Sequence, residues 1–387
     1  MVPVDRRFDP PEHIEKVRPI CHRLVAVPVK NHFKSIKKSS FWYWWRFFCL
    51  FFLRPNLATE NFHWAMARRV RELCKAEKYD LVQAVSLASG EYIRFAKPLA
   101  TMILAHEVHF ELTRLQLIFA KSLLKKLVLW LSYKGFLRYE LGIYRNCDRF
   151  SALSASDLEK ITQRIGPLPF TWLLPDPVES DDLPPSVLEA SQRTHDSHIL
   201  VFVGGLGPSF NQDAVLYFCK EIFPLIKRRV PEAKFYVVGA NPPDYIKNLE
   251  KNDGIIVTGT VPDVRPYIAR AAVYVAPIRY SGGVKSKIIE ALSMGKAIVA
   301  SSVALEGLSD QGEGVFRVQD DPQNFADEVV GLLLDEKLRF TLGTRARQLF
   351  ERSYSLEAVT PRILKTYSEI EMTLHKGTIG QNQKPAK

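Results

Sequence analysis

The sequence contains little cysteine, and its cysteines share no spacing pattern. The five are Cys21, Cys49, Cys74, Cys147 and Cys219, an odd number without a Cys-x-x-Cys pair. Such scatter favours reduced core residues over a disulfide framework or a zinc site. The first residues, MVPVDRRFDPPEH, are charged and lack the apolar centre of a secretory signal. We therefore expect a cytoplasmic protein.

Residues 30–54 have the most unusual composition of the sequence, but their apolar run is short. It does not reach the ~20 residues that a membrane-spanning helix needs. Four lysines precede tryptophans there, namely Lys30, Lys34, Lys37 and Lys38. Lysines beside tryptophans suit an anionic headgroup surface, so we predict that this segment tethers the protein to a membrane. A buried helix is the alternative, and continuous apolar residues from Phe47 to Leu53 disfavour a nucleic-acid patch.

A second stretch, residues 117–144, mixes basic residues with Leu, Phe and Trp at helical spacing. This pattern predicts a helix that contacts a membrane, and packing between helices is the alternative.

Acidic residues are scarce in the first part of the chain. Residues 1–180 contain 28 Lys and Arg against 17 Asp and Glu, whereas residues 181–387 contain 25 of each. The whole net charge of +11 therefore lies in the first part. A basic surface there suits nucleic acid, an anionic membrane or an acidic substrate.

The length of 387 residues and the alternation of strands and helices predict an α/β protein of two domains. We expect a first domain over residues 1–175, a proline-rich linker over 176–197 and a second domain over 198–355. A last helix over 356–375 and a disordered tail over 376–387 complete this division.

Individual elements are also predicted. Short apolar runs predict a first strand over 24–28 and further strands over 81–85 and 234–238. A helix is predicted over 213–229.

The most informative stretch is YVAPIRYSGGVKSKIIEALSMGKAIVASS, residues 274–302. It predicts a strand over 273–276, a glycine turn, a helix over 285–294 and a parallel strand over 297–300. A glycine turn before a helix start is a site for anions. Lys285 and Lys287 add cations there, and Glu290 can accept hydrogen bonds from sugar hydroxyls. A surface helix with solvated lysines is the alternative.

This stretch resembles the donor site of retaining glycosyltransferases of family 4, which have the GT-B fold. The residues that carry the resemblance are Pro277, Ser281, Gly282, Gly283, Lys285, Lys287 and Glu290. Many members have a glutamate where this chain has Gly282. We therefore expect no role here that depends on that glutamate. The resemblance implies that Lys287 meets the diphosphate of a nucleotide diphosphate sugar and Glu290 its ribose.

Two further places match the same family. His106 and Glu107 follow the strand predicted over 101–105, where the family has a histidine that approaches the transferred sugar. His109 is the nearest rival for this role. Gly204 and Gly205 follow the strand predicted over 198–203, where the family has a glycine turn facing the donor phosphates. Their spacing does not fit a dinucleotide fingerprint.

The resemblance implies a GT-B protein with two Rossmann-like domains facing across a cleft. The expected reaction is retaining hexosyl transfer from a donor such as a UDP- or GDP-sugar to a lipid-linked or polysaccharide acceptor. We expect this reaction in exopolysaccharide biosynthesis, at the inner face of the plasma membrane. The sequence contains no Asp-x-Asp, so we expect no metal. We also expect no other cofactor and no nucleic-acid partner.

Two alternatives remain open from the residues alone. One is a nucleotide-sugar epimerase or hydrolase of the same fold, and the other is a nucleotide-sugar-binding protein without catalysis. The glycine loop with which the family opens its first domain has no counterpart before Leu24. We therefore expect that the first domain is incomplete and that the chain binds its donor better than it catalyses.

Overall fold

A computed structural model describes residues 2–4, 25–28, 62–120, 122–168, 170–174, 196–308 and 310–380. Within these ranges the chain divides into two units. Unit 1 contains the described residues up to Leu153, then Asp157–Leu173, and those from Ser368. Unit 2 contains Ser154–Ser156 and the described residues from Leu174 to Tyr367. The predicted membrane segment and most of the predicted linker lie outside the described residues.

Unit 1 contains parallel strands with helices between them. Its strands are β1 (Val2–Val4), β2 (Ala26–Pro28), β3 (Leu81–Val85), β4 (Ala100–Ala105), β5 (Arg149–Ala152) and β6 (Thr171–Leu173). Its helices are α1 (Trp64–Ala76), α2 (Leu87–Gly90) with a 3-10 turn (Glu91–Phe95), α3 (His109–Phe119), α4 (Leu123–Asn146) and most of α5 (Ala155–Ile165). Strands β3 to β6 form a parallel sheet in chain order, and β1 pairs with β2 separately.

The core of unit 1 lies where α3 and α4 pack beside β4 and β5. Residues of β4 such as Met102 and Ile103 are fully buried, as expected for a parallel strand covered on both faces. Tyr144 of α4 packs edge-on against Phe150 of β5, with ring centres 4.9 Å apart. This packing fixes the position of the loop that follows β4.

Unit 2 contains a larger sheet. Its strands are β7 (Asp196–Val203), β8 (Lys234–Val238), β9 (Ile255–Gly259), β10 (Ala271–Ala276), β11 (Ala297–Ala300) and β12 (Phe316–Val318). Its helices are α6 (Ser209–Tyr217) with a π-helical turn (Phe218–Ile222), α7 (Phe223–Arg229), α8 (Asp244–Lys247) with a 3-10 turn (Asn248–Lys251), α9 (Arg265–Arg270), α10 (Ser286–Ser293), α11 (Ser302–Leu305), α12 (Pro322–Leu334) and α13 (Glu336–Ser353). The last helix, α14 (Leu356–Gly380), begins in unit 2 and ends in unit 1.

The described strands of unit 2 form a parallel sheet in the order β12-β11-β10-β7-β8-β9. Strands β7 and β10 are therefore neighbours, although β8 and β9 separate them in sequence. In doubly wound sheets a ligand binds outside the carboxyl ends of the strands, at the point where the strand order reverses. The loops after Val203 and Ala276 leave the sheet at this point, side by side.

The strands predicted over 81–85, 234–238 and 297–300 have those bounds in the structure. Two predicted helices have other bounds in the structure. The helix predicted over 117–144 is two helices, because the backbone becomes extended at Ala120 and Ser122. The helix predicted over 213–229 begins earlier, at Ser209, and contains a π-helical turn before Pro224, whose missing N–H interrupts the α-helical ladder.

The two ends of the described chain also differ from the predictions. A strand at Val2–Val4 precedes Ala26–Pro28, where the first strand was expected. The last helix passes the predicted end at His375 and continues to Gly380. Gly377 costs a helix about 1 kcal/mol relative to alanine, and that cost does not end the helix here.

In the described part of the chain, every helix is too short or too polar to cross a bilayer.

Candidate functional site

The first part of the site is the glycine turn after β7. The Gly204 N–H donates to Val238 O at 3.0 Å, and the Leu206 N–H donates to Ala240 O at 2.8 Å. A Cβ on Gly239 would lie 1.9 Å from Gly204 O, so the backbones of the two loops touch. Gly205 is exposed, with no atom within 4 Å of a Cβ built on it. The turn therefore offers an open backbone surface at the strand reversal.

The second part is the loop between β10 and α10. Ser281 is buried, and its hydroxyl donates to Gly282 O at 3.2 Å. Gly283 has a φ of 67°, a left-handed conformation that side chains rarely adopt. Gly307 lies against this turn, since a Cβ there would be 3.3 Å from Gly283 O. The predicted glycine turn is thus present and leads directly into the start of α10.

Helix α10 ends in a Schellman motif at Gly295. The Gly295 N–H donates to Leu292 O at 2.9 Å, the Lys296 N–H donates to Ala291 O at 3.1 Å, and Gly295 has a φ of 61°. The helix buries Ile288, Ile289 and Leu292 among its core residues. Its position is therefore fixed by packing on one side and by the glycine at its end.

Two of the predicted site residues form an ion pair on α10. Lys287 Nζ lies 2.7 Å from Glu290 Oε2, one helical turn away. Lys285 does not join this pair, because its ammonium donates to Glu306 O at 3.2 Å. The structure thus brings Lys287 and Glu290 together and directs Lys285 towards the loop after α11.

Asp263, in the loop after β9, lies beside the same pair. The Arg265 guanidinium donates to Asp263 at 2.9 Å and lowers the pKa of that carboxyl, and the charge of Lys287 lowers it further. Burial raises the pKa of the Tyr274 hydroxyl, and the charge of Glu290 adds to that rise. The Tyr274 hydroxyl donates to Val203 O at 3.4 Å, which connects β10 to the end of β7.

A link between the two loops was not predicted from the sequence. The Arg279 guanidinium, in the loop after β10, holds Asp213 of α6 through contacts of 2.9 and 2.6 Å. Arg279 also lies over the Tyr217 ring, with its Cζ 4.5 Å from the ring centre. Nearby, the Tyr280 hydroxyl lies 3.3 Å from Ser209 Oγ. Sixty-six positions separate Arg279 from Asp213, so no local pattern could have paired them.

In unit 1, His106 and Glu107 directly follow β4. His106 Nε2 is buried and has no hydrogen-bond partner among the described residues. A buried, unpaired polar atom is costly, and in native proteins it often marks a functional position. Glu107 is exposed.

His109, the rival candidate, is held by its neighbours. Its ring stacks on Phe136, with centres 5.6 Å apart, and its Nδ1 lies 3.3 Å from Glu107 O. The roles of His106, Glu107 and His109 stay predictions.

Glu140 of α4 supports the loop that carries these residues. It is fully buried and accepts the first two N–H groups of α3, from His109 at 3.2 Å and Phe110 at 2.9 Å. The Tyr144 hydroxyl donates to the same carboxyl at 2.6 Å. Burial raises the pKa of Glu140, and these donors oppose the rise. The sequence placed this acid in a helix but gave no sign of its partners.

The part of the chain that the structure describes contains no cluster of three or more His, Cys, Asp or Glu side chains arranged to hold a metal ion.

Residues 197–335 match the family model described as Glycosyl transferases group 1. This range contains both glycine turns, Asp263 and the Lys287–Glu290 pair. We call the matched range, which lies within unit 2, the group 1 domain. The chain is also 26% identical over 156 residues to N,N'-diacetylbacillosaminyl-diphospho-undecaprenol alpha-1,3-N-acetylgalactosaminyltransferase of Campylobacter jejuni. That match covers 39% of this chain and 41% of the relative, so the chain spans about two fifths of the length of this curated relative.

Solved structures resemble a larger share of the chain than the group 1 domain alone. Sucrose-phosphate synthase of Thermosynechococcus elongatus gives a TM-score of 0.63 at 17% identity, covering 80% of this chain and 78% of the other. Anabaena HepE in complex with UDP and glucose gives a TM-score of 0.58 at 15% identity, covering 79% and 81%. These likenesses confirm the α/β fold of GT-B type, with two Rossmann-like domains.

Proposed function

We propose that this chain is a retaining hexosyltransferase of glycosyltransferase family 4. It takes its sugar from a nucleotide diphosphate donor such as a UDP- or GDP-sugar. The observation that carries this proposal is the group 1 domain in which two glycine turns, Lys287 and Glu290 meet at the strand reversal of one sheet. This is where a doubly wound sheet binds a nucleotide.

The group 1 domain offers each part of the donor a partner of suitable chemistry. Lys285, Lys287 and the N–H groups at the start of α10 attract the diphosphate. Glu290 accepts hydrogen bonds from ribose hydroxyls, and Gly204 with Gly205 lets the backbone approach the phosphates closely. No step requires a metal, because these cations and N–H groups stabilise the charge of the departing diphosphate.

In unit 1, His106 is the residue proposed to act on the transferred sugar, with Glu107 beside it. The unpaired His106 Nε2 supports this choice, since a sugar hydroxyl would supply the missing partner. Retention is proposed because the reaction then needs only that the diphosphate leaves and that the acceptor attacks the sugar from the same face. That route requires no pair of carboxylates at glycosidase spacing.

The acceptor is proposed to be lipid-linked or polysaccharide, in exopolysaccharide biosynthesis at the inner face of the plasma membrane. Support comes from the Campylobacter relative, whose name describes transfer to a diphospho-undecaprenol-linked sugar. The surplus of basic residues before residue 181 suits an anionic membrane surface there.

A donor panel tests the proposal directly. Thermal shift with UDP- and GDP-sugars should identify a donor, since a ligand at 100 times its Kd adds about 2.7 kcal/mol of stability. That donor is then incubated with membrane lipids from a polysaccharide-producing bacterium, and NMR of the product gives the anomeric configuration. An inverted product would contradict the retaining assignment. Turnover of the donor without an acceptor would favour the epimerase or hydrolase alternative.

A further inference from the structure

Helices α3 and α4 form an antiparallel hairpin with a base and a tip. At the base, Glu140 of α4 accepts the first N–H groups of α3, and the His109 ring stacks on Phe136. The tip lies at the other end, where Phe119 ends α3 and Leu123 begins α4. At 1.5 Å per residue, the tip is about 25 Å along α4 from Glu140.

The hairpin tip, defined as the described residues of 118–130, exposes an unusual amount of apolar surface. Leu123 is 84% exposed and Leu124 is 73% exposed. The other large exposed apolar side chains of the tip are Ile118, Phe119, Leu127, Val128 and Trp130. A soluble monomer rarely leaves such a contiguous apolar patch in water, and patches of this kind mark interaction sites.

The two halves of α4 differ in their surroundings. Leu141 and Tyr144 in the second half are buried in the core of unit 1. Every residue from Ser122 to Val128 is exposed, so the first two turns face solvent on all sides. In these turns the apolar side chains of Leu123, Leu124, Leu127 and Val128 lie on one side of the helix, and Lys125 and Lys126 lie on the other. The surroundings that fit such a helix end are apolar on one side and anionic on the other.

The charges of the hairpin favour a negatively charged partner. Residues 112–139 contain no Asp or Glu. Lys125, Lys126, Lys134 and Arg138 are exposed along α4, and Lys134 Nζ lies 5.8 Å from the centre of the Trp130 ring. Tryptophan and lysine together are typical of the boundary between headgroups and acyl chains.

We propose that the hairpin tip inserts into the surface of a bilayer that contains anionic lipids. Its leucines enter the acyl boundary, and Lys125 and Lys126 contact the headgroups. A second copy of the chain is a poorer partner, because self-association through this face would bring these lysines against their own counterparts. This inference deepens the proposed function by naming a surface that holds the enzyme near a lipid-linked acceptor.

Vesicle binding of the full chain tests the inference. Flotation is compared on vesicles of phosphatidylcholine alone and on vesicles that also contain phosphatidylglycerol. The variant L123S/L124S/L127S should bind the anionic vesicles at least about tenfold more weakly, because three inserted side chains are lost. The variant K125Q/K126Q should lose about thirtyfold on anionic vesicles at low salt and little on neutral ones.

The control is L334S/F340S, which removes two exposed apolar side chains of unit 2. It should bind vesicles like the wild type, and melting curves show that each variant is folded. The inference is overturned if the hairpin variants bind within twofold of the wild type. It is also overturned if the wild type forms a dimer that L123S/L124S/L127S abolishes while vesicle binding stays unchanged. Calorimetry of donor binding by the same proteins tests the proposed function separately, since the hairpin belongs to unit 1 and the proposed donor residues belong to unit 2.

Discussion

Lys287 and Glu290 form an ion pair at the protein surface, with the lysine side chain 46% exposed and the glutamate side chain 17% exposed. Pairs one turn apart on a helix are worth about 0.3–0.5 kcal/mol. Neither residue lies in the core, and α10 is held by Ile288, Ile289 and its Schellman end. Changes at these two positions therefore report on ligand binding with little effect on folding.

The first prediction concerns these two residues. Lys287→Ala and Glu290→Ala should each raise the donor Kd about 10- to 100-fold, because a hydrogen bond to a charged group is worth ~1.5–3 kcal/mol. Isothermal calorimetry with the nucleotide sugar found in the donor panel measures the change. Lys247→Ala is the matched control, since Lys247 forms an exposed pair of the same spacing with Asp244. Unchanged affinity in both site variants would make this side of α10 an ordinary solvated surface.

The second prediction concerns the contact between Gly239 and Gly204. Gly239→Ala places a methyl group on the Gly204 carbonyl and should destabilise the protein by ~1–3 kcal/mol through overpacking. Gly331→Ala is the control, because no atom lies within 4 Å of its new methyl group and alanine favours the helix by ~0.5–1 kcal/mol. Urea unfolding measures both variants. Equal stability in the two would show that the turn after β7 moves freely.

At the scale of elements, a buried lysine, Lys296, directly precedes β11. The Lys296 ammonium donates to Ala269 O at 2.6 Å and to Ala271 O at 3.0 Å, which ties β11 to the start of β10. Burial lowers the pKa of Lys296 to about 7, and the positive charge of Arg339 in α13 contributes to the shift. Such a group makes the stability of unit 2 depend on pH.

The third prediction follows from the sign of that shift. An unfolded lysine has a pKa of about 10.4, so from about pH 7 upward the unfolded chain holds a proton that the folded protein has lost. Stability therefore rises with pH in this range, by about 1 kcal/mol per unit. Urea unfolding at pH 7, 8 and 9 should show the wild type gaining stability relative to Lys296→Met. Parallel pH profiles for the two proteins would contradict a lowered pKa.

Several strands in both units could be predicted from the sequence, because buried parallel strands are short, continuous apolar runs. Those over 81–85 and 234–238 are examples. The break between α3 and α4 could not be predicted, because apolar residues occur at helical spacing both before and after it. Periodicity then looks the same for one long helix and for a hairpin.

For the candidate site, the sequence predicted the glycine turns and the helix that carries Lys287. These features are local, since a strand, a turn and a helix follow one another within thirty residues. The sequence could not show the Arg279–Asp213 link, the contact of Gly239 with Gly204, or the support of the His106 loop by Glu140. Each joins distant positions, and only the order of strands brings them together.

At the scale of the whole molecule, the basic surplus lies in the first part of the chain, and segment 30–54 concentrates it beside tryptophans. The fourth prediction is that Lys34, Lys37 and Lys38 changed together to Gln weaken binding to anionic vesicles and reduce its salt dependence. Each lysine near such a surface is worth about 1 kcal/mol. Flotation at low and high salt measures the effect.

The control for this variant removes the same number of charges elsewhere. Lys234, Lys337 and Lys365 are exposed lysines of unit 2, and their change to Gln should leave vesicle binding unaltered. If both triple variants bind equally well, net charge alone governs the association and segment 30–54 has no special part in it.

The last helix connects parts of the protein that are synthesised at different times. α14 belongs to unit 2 as far as Tyr367 and to unit 1 from Ser368, and the Arg149 guanidinium donates to Thr373 Oγ1 at 3.2 Å. Domains generally fold in order during translation, beginning at the amino terminus. Here the first unit includes residues from Ser368 onward, which the ribosome adds only after the whole of unit 2. A nascent chain that stalls before Ser368 would present an unfinished first unit to chaperones and proteases.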